Sequence, residues 1–170
     1  MKIRIINRVY LIKLMISLSI LFIIFFFALN LNAYAASAPS KPSKSAAELR
    51  KEANAYFDEG ERLQKNGNWN ESSKKYKKAV KIDKKYAEAW SNLGFTYRKQ
   101  GKFKKAVKAY KKAIKINPEL AEAHEYLGEA YAEMGKFELA EKELKILRKL
   151  GSDDADELKE FISKMKAEKS

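Results

Sequence analysis

Two patterns of apolar positions divide the chain. From Leu14 to Leu29, 16 consecutive residues are uncharged and mostly apolar, with Leu21-Phe22-Ile23-Ile24-Phe25-Phe26-Phe27 at the centre. From about residue 46 onward, apolar residues recur instead at helical spacing among many charges. Trp90, Leu93, Phe95 and Tyr97 form one such block, and Phe103, Ala106, Val107, Tyr110, Ala113 and Ile114 form a second. A turn containing Gly101 separates them, so the unit reads as two amphipathic helices. Nothing in the chain reads as a strand, and the fold class expected is all-α.

The two-helix unit repeats. Shifting the sequence by 34 residues brings Gly60, Gly94 and Gly128 into one column, and Gly67, Gly101 and Gly135 into another. Trp69, Phe103 and Phe137 align as well, as do Ser72, Ala106 and Ala140, and then Tyr76, Tyr110 and Leu144. Three repeats follow, at 53–86, 87–120 and 121–154. The first glycine of each repeat allows its two helices to approach, with the small residue at Ser72, Ala106 or Ala140 on the other side. The second glycine supplies the left-handed residue that ends the first helix. Two flanking features complete the stack. Ser45-Ala46-Ala47-Glu48 is a capping box that starts a helix running into the first repeat. After Asp154, residues Leu158, Phe161, Ile162 and Met165 form a single apolar stripe on a helix over 155–168, suited to covering the open edge of the third repeat.

These columns resemble the tetratricopeptide repeat (TPR), whose signature runs W-x2-L-G-x2-Y, then A-x3-F, then P. The second repeat fits best, with Trp90, Leu93, Gly94, Tyr97, Ala106, Tyr110, Ala113 and Pro118. The third has His124, Leu127, Gly128, Tyr131, Ala140 and Leu144, but Leu147 replaces the late alanine and Ser152 the proline. The first departs most, with Glu59 in place of leucine and Lys84 in place of proline. The resemblance implies an α-solenoid of three helix pairs with a C-terminal cap. It also implies a non-enzymatic scaffold that binds a protein or peptide in the concave groove lined by the first helices.

The start of the chain has a different character. Met1 to Lys13 carry only positive charges, Lys2, Arg4, Arg8 and Lys13. The apolar run follows, and then Ala33-Tyr34-Ala35, an A-x-A site. This is the order of a secretory signal peptide, residues 1–35, cleaved before Ala36. The competing expectation is an uncleaved anchor, because no charge appears between the run and Lys41. Either places the repeats outside the cytoplasm, in a bacterial periplasm or cell envelope. Residues 36–45, with two prolines and several serines, read as an extended linker.

Beyond the leader, 31 basic and 22 acidic residues leave a net charge of +9. Much of the excess lies on the second helices, at Lys74, Lys75, Lys77, Lys78 and Lys81 and again at Lys104, Lys105, Lys108, Lys111, Lys112 and Lys115. This basic outer face is either a solvated surface or one attracted to membrane or other anionic envelope surfaces. The export signal argues against nucleic acid. There is no cysteine, hence no disulfide, no thiolate metal site and no lipid-bearing cysteine. His124 is the one histidine and occupies a packing column with Tyr56 and Trp90. No phosphate-binding glycine loop or nucleophile triad is evident, and neither cofactor, metal nor small-molecule substrate is expected.

The resemblance also indexes the groove. Its implied ligand-binding residues are Phe57 and Glu61 from the first repeat, Asn92, Phe95 and Arg98 from the second, and Glu122, Glu125, Tyr126, Glu129 and Glu133 from the third. Aromatic side chains would supply apolar contact. The four glutamates would make one end acidic and favour a ligand with Lys or Arg. Some TPR domains clamp a C-terminal carboxylate with Lys, Asn and Arg. Here only Asn92 matches that set, and Phe57, Glu61, Glu122 and Tyr126 stand at the other positions.

Overall fold

The computed structural model describes residues 14–27 and 44–169. They belong to two separate compact units, Met1–Ser43 and Lys44–Ser170. In the first unit, residues 14–27 form a helix, α1, whose described side chains are all exposed. Among the described residues no helix is long and apolar enough to cross a membrane. The expected cleavage site at Ala35 and nearly all of the expected linker lie outside the described residues.

The second unit contains α2 (Ala46–Lys65), α3 (Trp69–Ile82), α4 (Ala87–Lys99), α5 (Phe103–Ile116), α6 (Ala121–Glu133), α7 (Phe137–Leu150) and α8 (Asp154–Glu168). No strand occurs among the described residues. The helices pair as α2 with α3, α4 with α5, and α6 with α7, and each pair packs on the next. At the end, α8 packs against both α6 and α7, the place a further first helix would take.

Local chemistry accounts for the helix boundaries. The α2 start is a capping box in which the Glu48 N–H donates to Ser45 Oγ at 3.2 Å and the Ser45 N–H to Glu48 Oε2 at 2.7 Å. The first helix of each pair ends in a Schellman motif. Gly67, Gly101 and Gly135 sit at φ near +70°. The following N–H reaches back to Leu63, Tyr97 or Tyr131 at 2.8–2.9 Å. Gly151 repeats the device at the end of α7, replacing the Asp83 and Asn117 turns that end α3 and α5. In those turns the side-chain oxygen accepts from the N–H two residues on, at 2.8 Å for Asp83 and 3.1 Å for Asn117.

The core follows the repeat columns. Tyr76, Ala79, Ala106, Tyr110, Ala113, Ala140, Leu144 and Leu147 are buried. The first glycine column makes room chiefly for a large side chain rather than for the small residue opposite. A Cβ on Gly60 would lie 2.8 Å from the Tyr76 ring, and one on Gly94 would lie 2.5 Å from the Tyr110 ring. On Gly128 the atom met at 2.5 Å belongs to Leu158 of α8, so the cap packs into the third repeat through its glycine. Leu158 and Ile162 are buried there, as the stripe predicts, each stabilising the end of the stack by roughly 1.5–3 kcal/mol. The small column has its own contact: Ser72 Oγ donates to the Gly60 carbonyl at 2.8 Å. Glu59, the residue out of pattern in the first repeat, is half-buried and pairs with Lys75 at 2.7 Å across α2 and α3. Within the Lys44–Ser170 unit, among the described residues, no repeat precedes α2, so a charged residue fits where leucine would otherwise pack.

Candidate functional site

The groove residues expected from the repeat register fall on α2, α4 and α6, and the structure divides them into different surroundings. Phe57 is half-buried, stacked on Tyr86 at 4.9 Å and edge-on to Tyr76 at 5.5 Å. Phe95 lies 5.1 Å from Tyr126 and 6.0 Å from Trp69, and Tyr126 lies 6.1 Å from Tyr110. Phe95 and Tyr126 therefore form one aromatic ladder across the second and third repeats, while Phe57 belongs to another cluster in the first. Asn92 is buried, and Glu61 is half-buried.

Arg98 is 7% exposed and ties α4 to α6. Its Nη2 lies 2.6 Å from Glu129 Oε2, and its Nη1 donates to Glu133 Oε1 at 3.1 Å. The guanidinium also lies over the Phe95 and Tyr126 rings, 5.4 and 5.8 Å from their centroids. Burial works against the charge on Arg98, but Glu129, Tyr110 and Glu133 outweigh it and hold its pKa above the ordinary value. Arg98 and Glu133 thus join the two repeats rather than standing open to solvent. Lys169 Nζ donates to the Glu133 carbonyl at 2.6 Å, closing this end of the network.

Beside the Arg98-paired Glu129, further acidic groups line a cleft of about 520 Å³ between α6 and α8: Glu125, Glu157 and Glu160, together with Phe161 and Lys164. Burial pushes the Glu125 carboxyl up to about 7, helped by the negative charges of Glu129, Asp154, Glu157 and Glu122. Burial likewise raises Glu122, with the Tyr126 hydroxyl acting against it. A carboxyl half-protonated near neutrality, among other carboxylates, favours an incoming cation that relieves the repulsion. Glu157 and Glu160 extend this end of the groove beyond the residues that the repeat register identifies. They lie with Lys164 at i, i+3 and i+7 on α8, flanking the apolar stripe beside Phe161, and that spacing was the available signal.

His124 fills its packing column as expected and is 4% exposed. Its Nδ1 lies 2.7 Å from Glu143 Oε2 and its Nε2 3.0 Å from the Pro118 carbonyl. Both partners are acceptors, so the doubly protonated ring satisfies both contacts. The Glu143 hydrogen bond raises the His124 pKa, burial opposes it, and the Pro118 carbonyl adds to the rise. A histidine with a raised folded-state pKa contributes stability that is full below the unfolded value near 6.5 and is lost as pH rises through the folded value. The wild type should exceed His124→Gln by about 1 kcal/mol in urea unfolding at pH 5.5, and the gap should shrink above neutrality. A gap that widens as pH rises would refute the cationic assignment.

Comparison with known proteins agrees with this architecture. The sequence family described as TPR repeat matches residues 53–101 and 96–135. No curated protein matches the chain. Among solved structures, the first TPR of Spaghetti (RPAP3), bound to the HSP90 peptide SRMEEVD, superimposes with a TM-score of 0.63 at 24% identity, covering 69% of this chain and 95% of that one. The Arabidopsis OM64 TPR domain gives a TM-score of 0.63 at 18% identity, covering 68% and 98%. MamA gives a TM-score of 0.53 at 28% identity, covering 66% of this chain and 61% of MamA. With three in-register helix pairs, four glycine-ended helices and this family match, the chain is a tetratricopeptide-repeat protein.

Proposed function

We propose that this protein is a non-enzymatic adaptor, exported to a bacterial periplasm or cell envelope, that holds a basic peptide or protein segment at the α6–α8 end of its groove. The observation that carries this reading is the cleft in which Glu125, Glu129, Glu157 and Glu160 converge beside Phe161. The Phe95–Tyr126 ladder continues the binding surface toward the second repeat. The Spaghetti domains hold an HSP90 peptide, SRMEEVD. In this chain Phe57, Glu61, Glu122 and Tyr126 replace most of the clamp that the resemblance implies, and glutamate at two of those positions repels an acidic peptide. Lys or Arg side chains are the complementary choice, with carboxylates governing orientation and association rate.

The test is fluorescence anisotropy with matched peptides in which Lys or Arg alternates with Asp or Glu around one aromatic anchor. The basic member should bind. Glu157→Lys together with Glu160→Lys should lower its association rate roughly tenfold at low salt, with the difference fading as salt rises. Both positions are exposed, so folding is not at stake. Calorimetry at pH 7 should show proton release on binding, because a cation beside Glu125 draws its pKa down from about 7. Preference for the acidic peptide would sink the reading.

Export has its own test. A phosphatase active only in an oxidising compartment, fused after Ser170, should be active in bacteria if the leader carries the repeats out. An inactive fusion present at normal abundance would place the domain in the cytoplasm.

A further inference from the structure

A second cleft lies away from the acidic end. It measures about 610 Å³, within the range of small-molecule sites, and is formed by α3, α4 and α5. Its rim is lysine alone: Lys77 and Lys81 from α3, Lys84 from the turn that follows it, and Lys105, Lys108 and Lys112 from α5. Its floor is apolar, built from Val80, Leu93, Ala109 and the rings of Trp90 and Tyr97. The indole N–H of Trp90 is engaged with the Lys84 carbonyl at 3.2 Å. Lys77 and Lys105 hold their ammonium groups 5.4 and 5.9 Å from the centroid of the Tyr97 ring, at the edge of the floor.

The chemistry of this lining restricts its occupant. Every charged group on the rim is a cation and a hydrogen-bond donor, and no carboxylate lines the cleft. A peptide lying there would bring backbone N–H groups with few acceptors to meet them. An inorganic anion would leave the floor uncovered. The neighbouring lysines Lys74 and Lys75 differ from the rim, because each is paired with a glutamate, Glu71 and Glu59. The six rim lysines surround a single apolar floor and have no acid beside them in the lining. We infer that this cleft binds one molecule of an anionic amphiphile, with its apolar body on the Trp90–Leu93–Tyr97 floor and a phosphate or carboxylate end among the α3 and α5 lysines. This site is independent of the groove at the other end of the stack.

The repeat unit suits a direct test, since every buried hydrophobic residue of the core lies between Ala53 and Ile162. Residues 44–170 are titrated by calorimetry with decyl phosphate below its micelle threshold, and in parallel with inorganic phosphate, decyl maltoside and an acidic peptide. Decyl phosphate should bind at a stoichiometry of one and at least roughly tenfold tighter than each of the others, because it alone carries both the charge and the apolar body. The exposed triple variant Lys81→Ser, Lys108→Ser, Lys112→Ser should weaken it by roughly tenfold or more. Lys104→Ser with Lys115→Ser, outside the cleft on α5, should change it by less than about twofold. Circular dichroism confirms that each variant is folded. Equal loss in both lysine variants would mean diffuse attraction to a basic face, such as a membrane surface would exploit, and would overturn the site. Tighter binding of the acidic peptide, or equal binding of inorganic phosphate or decyl maltoside, would overturn the amphiphile assignment.

Discussion

Gly94→Leu should lower the stability of the repeat unit by several kcal/mol. Even a methyl group at this position would lie 2.5 Å from the Tyr110 ring, which is fully buried and has no route outward. Gly94→Ala should therefore cost about 1–3 kcal/mol, as overpacked sites usually do, and leucine more. The contrast is Gly101, whose Cβ would meet nothing within 4 Å but whose φ is +69°. Gly101→Ala should cost about 1–2 kcal/mol, from backbone strain alone. A double variant separates the two causes. Tyr110→Leu in the Gly94→Ala background should recover part of the loss, because leucine vacates the ring's space, whereas Tyr110→Leu should recover nothing in the Gly101→Ala background. Chemical unfolding of the wild type, of the three single variants Gly94→Ala, Gly101→Ala and Tyr110→Leu, and of the two doubles gives both cycles. If Gly94→Leu left the unfolding midpoint unchanged, the assigned packing between α4 and α5 would be wrong.

Arg98→Met should be comparably damaging for an electrostatic reason. The arginine is nearly buried and holds both Glu129 and Glu133 of the next repeat. Removing one partner of a buried ion pair leaves uncompensated charge, a loss of roughly 3–5 kcal/mol. Glu129 is already raised by burial, with Arg98 acting against the rise. Without the guanidinium its folded-state pKa rises further above the ordinary 4.5. The sign follows from linkage. A carboxyl raised on folding costs stability at a pH above its folded value, and the cost fades as pH falls through that value toward the unfolded one. The deficit of Arg98→Met should therefore be largest at neutral pH and shrink in mild acid. Arg98→Met combined with Glu129→Gln and Glu133→Gln should recover most of the stability, since no charge is then stranded. A deficit independent of pH, with no recovery in the triple variant, would show that Arg98 matters only for the packing of its stem.

How far the site could be read in advance varied from residue to residue. The register placed Phe95, Tyr126, Glu125 and Glu129 on first helices because each depends only on its position within a 34-residue repeat. The same register could not show that Arg98 reaches Glu133, 35 positions away, because that contact depends on how α4 and α6 sit against each other. Nor did it index Glu157 and Glu160, which lie on a cap outside the three repeats. The aromatic residues are a similar case. Their spacing on the helices was legible, but the split between the Phe57–Tyr86 stack and the Phe95–Tyr126 ladder arises between repeats.

By itself, the sequence determined what is local and periodic. Helix starts and stops follow from Ser45-x-x-Glu48 and from glycines whose left-handed backbone needs no partner beyond its own turn. The apolar spacing determined the helix pairs, and the 34-residue period determined their number. The tertiary structure alone decided which charges remain available. Lys77, Lys81, Lys84, Lys105, Lys108 and Lys112 become the rim of one cleft, because α3 and α5 flank α4 across a gap with an apolar floor. Four glutamates that read as one acidic face divide: Glu129 and Glu133 pair with Arg98, while burial raises Glu122 and takes Glu125, among the charges of α6 and α8, up to about 7. Burial and distance set a charge's energy, and both come from helices remote in sequence.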